Sequence, residues 1–242
     1  MIELLWPGLT VLGAYIVLGL TGFGSALLMV PLLAWTWPLP EVVALVLMLD
    51  MPASLMHSGL NWRRVQWAEL MRLLPGMVLG TLAGLWLTRY LDSRWPLLVL
   101  GVYVAIVGLR ALRQRTDLQP VDVRWRHLYG MGLGVVQLLF GTAGPVVVAW
   151  LTRRLSDPQQ IRATIPMIMA VAAVTVLLGM ALDGRLSQPV LWQRWTVLIV
   201  PALAGVWLGH RLAHRVPVQR LRQMICALLV VSGSVLTAKA LV

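Results

Sequence analysis

Long apolar runs recur along almost the whole chain, and few charged residues interrupt them. Seven such runs are separated by short polar stretches: Leu4 to Leu20, Val42 to Leu60, Leu73 to Leu87, Leu97 to Leu109, Ile165 to Leu182, Val197 to Leu212 and Ile225 to Val242. Many approach the roughly 20 residues that a helix needs to cross a bilayer. Because backbone groups in lipid must be satisfied within the protein, and because the runs are continuously apolar rather than alternating, they predict transmembrane helices and not a barrel. We therefore expect an all-α integral membrane protein.

The formal net charge of +11 has a topological explanation. The basic residues lie between the apolar runs and form no separate domain, so they do not indicate a nucleic-acid partner. One predicted face receives fifteen arginines: Arg63, Arg64, Arg72, Arg110, Arg113, Arg115, Arg124, Arg126, Arg153, Arg154, Arg162, Arg211, Arg215, Arg220 and Arg222. The other receives five basic residues: Arg89, Arg94, Arg185, Arg194 and Lys239. The positive-inside rule places the first group in the cytoplasm and both chain termini outside the cell membrane.

Two apolar segments are broken by glycine at corresponding places, about half a chain apart. The first break contains Gly22, Gly24 and Ser25, and the second runs from Gly141 to Pro145. Paired interruptions of this kind are the best sequence indication of a transport site in a membrane protein. The apolar stretches beside each break have only 10 to 14 residues, too few for an untilted crossing. They predict either short tilted helices or re-entrant hairpins.

The glycine pattern also predicts an internal repeat. An offset of 125 residues takes Gly80, Gly84 and Gly108 to Gly205, Gly209 and Gly233. We expect two halves, residues 1–113 and 128–242, joined by a polar cytoplasmic linker at residues 114–127. Each half would cross the membrane an odd number of times, so the halves would be inverted relative to each other. The glycine pairs four residues apart are interpreted as close helix packing.

The sequence resembles the sulfite exporter TauE/SafE family of membrane permeases over essentially its whole length. The resemblance rests on Gly22-Phe23-Gly24 with Pro31, on Leu74-Pro75-Gly76, and on the second break followed by Arg162-Ala163-Thr164. It implies transport of small sulfur-containing anions such as sulfite or organosulfonates, and other carboxylate-bearing anions fit the same class. The family typically has denser glycine at both breaks, whereas this sequence has Ser25 and Ala143 in or beside those motifs.

The residues at the breaks predict an anion site. A helix that begins inside the membrane presents unpaired amide donors and the positive end of its dipole. We expect Gly22, Gly24, Ser25, Gly141, Thr142, Ala143 and Gly144 to form this site, with Ser25 and Thr142 as helix caps. The alternative is that both breaks only permit tight packing. Arg162 either grips substrate oxygens bidentately or anchors its helix at the cytoplasmic surface.

Asp50 is the acidic residue predicted deepest within a span, so it must pair, face water or carry a proton. It is either a proton-coupling group or a helix contact beside Pro52. His57, two turns further along, either relays protons or reaches the interface. Gln137 either lines the cavity or bonds a neighbouring helix.

Together these patterns predict a secondary transporter that works by alternating access at a midplane site, with export the expected direction. The alternative is a membrane scaffold or assembly subunit that transports nothing. No metalloprotease motif, cysteine pair or phosphate loop occurs, so we expect no enzyme activity, cofactor or metal. The expected partners are the small anion and the lipid bilayer, and the small-residue stripes are compatible with a homodimer.

Overall fold

The computed structural model describes residues 5–88 and 122–213, together with the helical residues Val99 and Val102. Within the two ranges the chain forms eight α-helices: α1 Leu5–Thr21, α2 Ser25–Leu33, α3 Leu39–Gly59, α4 Trp67–Thr88, α5 Arg126–Phe140, α6 Gly144–Leu151, α7 Pro158–Leu182 and α8 Pro189–Leu212. Two single 3₁₀ turns, Trp62–Arg64 and Val123–Trp125, precede α4 and α5. The described ranges contain no strand. The all-α prediction is confirmed.

The helices fall into two length classes, as the sequence predicts. Among the described residues, α3, α4, α7 and α8 are long and apolar enough to cross a bilayer, and the apolar α1 is shorter. The helices that follow the breaks are much shorter, since α2 has 9 residues and α6 has 8. At 1.5 Å per residue they reach about 12 to 14 Å, less than half of a hydrocarbon core of about 30 Å. The predicted spans at residues 97–109 and 225–242 lie outside the described ranges.

Helix α3 lies at the centre of the described bundle. Its most apolar window is 67% buried, against 28% for α8. It packs mainly against α7 and then against α8, while α1 packs along α8 and α4 packs along α5. The outer faces of α4 and α8 expose large apolar side chains, among them Leu79, Trp86 and Val200. Such faces suit contact with lipid chains.

Glycines bring two pairs of helices into backbone contact. A Cβ atom at Gly76 would lie 2.7 Å from the carbonyl oxygen of His127 on α5, and one at Gly205 would lie 2.7 Å from that of Leu12 on α1. Added Cβ atoms at Gly80, Gly84 and Gly209 would likewise collide with the facing helix. The packing interpretation of the glycine pairs is confirmed. Gly108 and Gly233 lie outside the described ranges.

Contacts between the long helices establish their directions. The Ser58 hydroxyl near the end of α3 donates to the Ala163 carbonyl near the start of α7 at 3.4 Å, so these helices run in opposite directions. The rings of His57 and His210 lie 5.8 Å apart near the ends of α3 and α8, which therefore run in the same direction. Since α4 follows α3 after a short turn, its start lies at the end of α3. The bundle thus has two ends, separated by the length of α3.

Basic residues are concentrated at one of these ends. Nine described arginines lie at the end of α3 and α8 or at the start of α4, α5 and α7, or just after α6: Arg63, Arg64, Arg72, Arg124, Arg126, Arg153, Arg154, Arg162 and Arg211. We call this the arginine-rich end. The opposite end, at the start of α3 and α8, holds Arg185 and Arg194 among the described residues. All eleven fall in the group that the sequence assigned to them.

Candidate functional site

The first break owes its shape to two glycines. After α1 ends, Gly22 and Gly24 adopt φ values of 86° and 100°. This left-handed region is freely open only to glycine, because a Cβ atom clashes there with the backbone. The chain then starts α2 in a new direction at Ser25. The second break uses Gly141 in the same way, with φ of 68° at the end of α5.

The predicted helix caps are wrong. Gly24 and Ala143 occupy the cap positions of α2 and α6, and neither makes a side-chain cap hydrogen bond. Ser25 is instead the first residue of α2, and its hydroxyl donates to Asp50. Thr142 lies one residue before the cap. Ser25 is already helical and so lies past the position from which a side chain caps, and its hydroxyl donates to the Asp50 carboxylate instead.

The absence of side-chain caps leaves amide donors unused. In α2 the Leu28 amide bonds to the Gly24 carbonyl at 3.3 Å, while the amides of Ser25, Ala26 and Leu27 have no acceptor among the described residues. In α6 the Val146 amide bonds to the Ala143 carbonyl at 2.9 Å. Proline at position 145 has no N–H group. The first helix start therefore offers three free donors, and the second offers only the amide of Gly144.

The two breaks touch each other in the middle of the bundle. A Cβ atom at Gly144 would lie 3.2 Å from the ring of Phe23, and one at Gly141 would lie 3.4 Å from Val30. Beside this contact is a small hollow lined by both breaks and by α3, with Gly22, Gly24, Ser25, Thr142, Asp50 and Ser54 in its wall. It has room for about one water molecule. Four predicted site residues and Asp50 thus meet, while Gly141, Ala143 and Gly144 lie outside its wall.

Asp50 is held by hydroxyl groups from two other helices. The hydroxyl of Tyr15 on α1 donates to Asp50 Oδ1 at 2.7 Å, and that of Ser25 donates to the same oxygen at 2.9 Å. The side chain is only 2% exposed. The other carboxylate oxygen, Oδ2, has no hydrogen-bond partner within residues 5–88 and 122–213. Both expected roles of Asp50, helix contact and coupling group, are compatible with this geometry.

Sequence reasoning missed Ser54, which lies one helical turn after Asp50 in the wall of the hollow. It is 1% exposed, and its hydroxyl oxygen has no hydrogen-bond partner in the described chain. The spacing of four residues from Asp50 on a helix could have revealed it. Gln137 is fully buried, and neither of its amide atoms has a partner among the described residues. It therefore makes no bond to a neighbouring described helix.

Arg162 and His57 lie next to the first break, on the side of the arginine-rich end. Arg162 Nη2 donates to the Gly19 carbonyl at 2.9 Å, and His57 Nε2 lies 3.3 Å from the same oxygen. Arg162 is half-buried and is not in the wall of the hollow. His57 is fully buried, so the expectation that it reaches the interface is wrong. The Arg162 backbone packs closely against the first break, since a Cβ atom at Gly22 would lie 2.9 Å from the Arg162 carbonyl oxygen.

A second buried acid, Glu69, was also missed. It is 4% exposed at the start of α4, where it accepts from Trp150 Nε1 at 2.9 Å and pairs with Arg72 and with Arg154 at 3.4 Å. This group links α4 to the chain just after α6. The sequence contains one indication of this ion pair: Glu69 and Arg72 are three residues apart, which on a helix brings their side chains together.

The opposite end has a comparable ion pair between different parts of the chain. Arg194 at the start of α8 pairs with Glu41 at the start of α3 at 2.8 Å. The guanidinium carbon also lies 4.1 Å from the ring centroid of Trp37. Each end of the bundle therefore has an ion pair that joins the first part of the chain to the second. The arginine of each pair lies beside a tryptophan ring, Trp150 for Arg154 and Trp37 for Arg194.

Comparisons with known proteins identify the family of this chain. The sequence matches the family described as Sulfite exporter TauE/SafE over residues 8–236. It is 45% identical over 197 residues to the "Probable inner membrane transporter protein TsaS" of Comamonas testosteroni, covering 80% of this chain and 81% of that protein. It is 27% identical over 209 residues to the "Probable sulfite/organosulfonate exporter TauE" of Cupriavidus necator, covering 79% and 77%. No solved structure matches. The chain belongs to the sulfite exporter TauE/SafE family of membrane transporters.

Proposed function

We propose that the protein exports small sulfur-containing anions, such as sulfite or organosulfonates, by alternating access at the hollow between the two breaks. The name of the Cupriavidus necator relative, a probable sulfite/organosulfonate exporter, supports this substrate class. The main structural support is that both breaks meet at one buried hollow, beside a helix start with three unused amide donors. Amide donors and a helix N-terminus together favour an anion.

The anion would be held by groups from both breaks. The free amides of Ser25 and Ala26 would donate from α2, and the Thr142 hydroxyl would donate from the second break. Glycine at positions 22 and 24 lets the guest approach the backbone closely. Arg162 would meet the anion on its way from the arginine-rich end, since its guanidinium lies just outside the hollow.

The helix packing supports two inverted repeats, which we place at residues 1–113 and 128–242 with the linker at 114–127. Packing of α1 on α8 corresponds to packing of α5 on α4 when the halves are exchanged. Gly205 faces Leu12, and Gly80 faces Met131. Gly205 lies 125 residues after Gly80, and Met131 lies 119 residues after Leu12. The two contacts therefore join corresponding positions of the two halves. Since α3 and α7 run in opposite directions, the second half is upside down relative to the first.

The arginine-rich end would face the cytoplasm because basic residues are retained there. The described residues place nine arginines at that end and two at the other. This orientation puts the start of α1 outside, and the same inverted arrangement would put the C-terminus there. With a negative cell interior, expulsion of an anion is favoured by the membrane potential. We therefore expect export under resting conditions.

The two interhelical ion pairs are suited to alternating access. Glu41 pairs with Arg194 at the opposite end, and Glu69 pairs with Arg154 at the arginine-rich end. Each pair joins the two proposed repeats, so movement of one repeat against the other would break one pair while keeping the other. In the described structure both are formed, and the hollow has room for about one water molecule, as expected of an occluded arrangement.

Flux in proteoliposomes tests this function. We expect sulfite to cross the membrane in the wild type, and Gly144→Leu to block it because the new side chain points at Phe23 beside the hollow. Gly132→Leu is the control, since a Cβ atom there meets nothing within 4 Å. Both changes place the same residue in a helix. Failure of sulfite and organosulfonates to move under any gradient would reject transport and favour the scaffold alternative.

A further inference from the structure

The hydroxyl groups around the hollow differ in what they can offer a guest. Tyr15 and Ser25 both donate to Asp50 Oδ1, so their hydrogens are already used. The Ser54 hydroxyl has no hydrogen-bond partner in the described chain. Ser54 lies in the wall of the hollow and is only 1% exposed. Thr142 also lines the hollow and is 2% exposed. Ser54 and Thr142 are thus the hydroxyls that remain for an anionic oxygen.

Asp50, in the wall of the same hollow, has an acceptor oxygen with no hydrogen-bond partner among the described residues. Asp50 is 2% exposed, and its Oδ2 oxygen has no partner in the described ranges, although an ionised carboxylate can accept about four hydrogen bonds. Free donors and a free acceptor therefore face one small space. A simple oxyanion would satisfy the donors and repel the carboxylate.

The charged and titratable groups around Asp50 do not remove this repulsion. Tyr15 from α1 contacts it directly but is neutral as a hydrogen-bond donor. His57 lies two turns away on α3, and it neighbours Arg162 from α7 and His210 from α8 beside Gly19. No described cation forms an ion pair with Asp50. A hydrogen must therefore lie between Oδ2 and an anionic guest.

Resting on the proposed function, we infer that Asp50 makes the site bipolar and that the guest's own hydrogen decides whether transport needs a proton. A guest that carries a donor, such as a monoprotonated oxyanion or a hydroxy- or aminosulfonate, supplies its hydrogen to Asp50 Oδ2. Its sulfonate or sulfite oxygens then accept from Ser54, Thr142 and the α2 amides. An anion without a donor binds only after Oδ2 has taken a hydronium proton from the solution on that side of the membrane, and the carboxyl group releases this proton with the anion on the other side.

Two sulfonates of nearly equal size separate these cases. 2-Hydroxyethanesulfonate carries a hydroxyl donor, and ethanesulfonate does not, while both remain anions across the pH range of the assay. In wild-type proteoliposomes we expect 2-hydroxyethanesulfonate to move about tenfold faster than ethanesulfonate at neutral pH, which corresponds to one hydrogen bond to a charged acceptor. Ethanesulfonate flux should rise as the pH falls, because acid protonates Oδ2. Flux of the hydroxy compound should change much less.

Two variants distinguish the roles of Asp50 and Ser54. Asp50→Asn removes the charge and supplies an N–H donor, so the two sulfonates should move at similar rates and the acid dependence of ethanesulfonate should vanish. Ser54→Ala removes a donor to the shared sulfonate group, so both fluxes should fall while their ratio persists. If the Asn variant does not fold, the wild-type ratio and its pH dependence still decide the question.

The outcomes separate this inference from the proposed function. Equal wild-type fluxes of the two sulfonates, with the same pH dependence, would overturn the bipolar site while leaving transport intact. Retention of the tenfold ratio in Asp50→Asn would also overturn it, because the carboxylate would not be the discriminating acceptor. Absence of flux for both sulfonates and for sulfite would reject transport itself.

Discussion

Replacing Gly205 by alanine should loosen the contact between α1 and α8 and disturb the site at the same time. The new Cβ atom would lie 2.7 Å from the Leu12 carbonyl oxygen and 2.9 Å from Tyr15 Cβ. Ordinary contacts begin near 3.4 Å, so the helices must separate by about 0.7 Å, the difference between 3.4 and 2.7 Å. One clashing atom is a backbone oxygen and the other is a Cβ atom, so neither can move away by rotation of a side chain.

The magnitude follows from two opposing effects. Overpacking of this kind costs about 1–3 kcal/mol, and alanine in place of glycine within a helix returns up to about 1 kcal/mol. We expect a net loss of about 1–2 kcal/mol, which for a chain of this size lowers the melting temperature by about 2–8 °C. Thermal unfolding in detergent micelles, followed by circular dichroism, measures the shift.

The matched control is Gly13→Ala on α1. A Cβ atom there meets nothing within 4 Å, so only the favourable helix effect remains and the melting temperature should stay or rise slightly. Because Tyr15 is displaced in Gly205→Ala, its 2.7 Å bond to Asp50 should also weaken, and anion flux should fall more than stability alone explains. Equal melting temperatures for the two variants would refute the close-contact argument.

Two further predictions concern charged residues at the arginine-rich end. Glu69→Gln should cost about 1–3 kcal/mol, because Arg154 and Arg72 lose a buried carboxylate, whereas Asp122→Asn in an exposed pair should change the melting temperature little. An equal effect of both changes would contradict the importance of burial. Arg162→Ala should raise the KM for sulfite with little change in kcat, since the guanidinium lies outside the hollow. A lowered kcat at unchanged KM would instead assign it to the transport step.

Local sequence features predicted the helices and the breaks well, because a helix or a break is decided mainly by residues that are close together in the sequence. Gly22, Gly24 and Gly141 all take the left-handed conformation at the breaks, and α2 and α6 are as short as expected. The assignment of Ser25 as a cap was wrong because Gly24 takes the cap position and Ser25 is the first helical residue, whose hydroxyl donates to a distant side chain. Its acceptor, Asp50, is 25 residues away.

The sequence also could not reveal which polar groups stay without partners. Ser54 and Gln137 look ordinary within their apolar surroundings, and only packing shows that their polar atoms lack hydrogen bonds in the described chain. Glu69 looks like an interfacial acid until Trp150, 81 residues later, is found bonded to it. His57 was assigned to a wet interface or a relay, and burial by α1 and α8 decided against the interface.

The order of residues alone determined that this chain enters a membrane as helices, that two of its segments break at glycine, and that most arginines of the described ranges lie at one end. These properties follow from hydropathy, chain flexibility and charge, which neighbouring residues already express. Only the tertiary structure decided that both breaks share one hollow with Asp50, and that Arg194 pairs with Glu41, 153 residues away. Such contacts depend on how whole helices pack, and no local pattern carries that information.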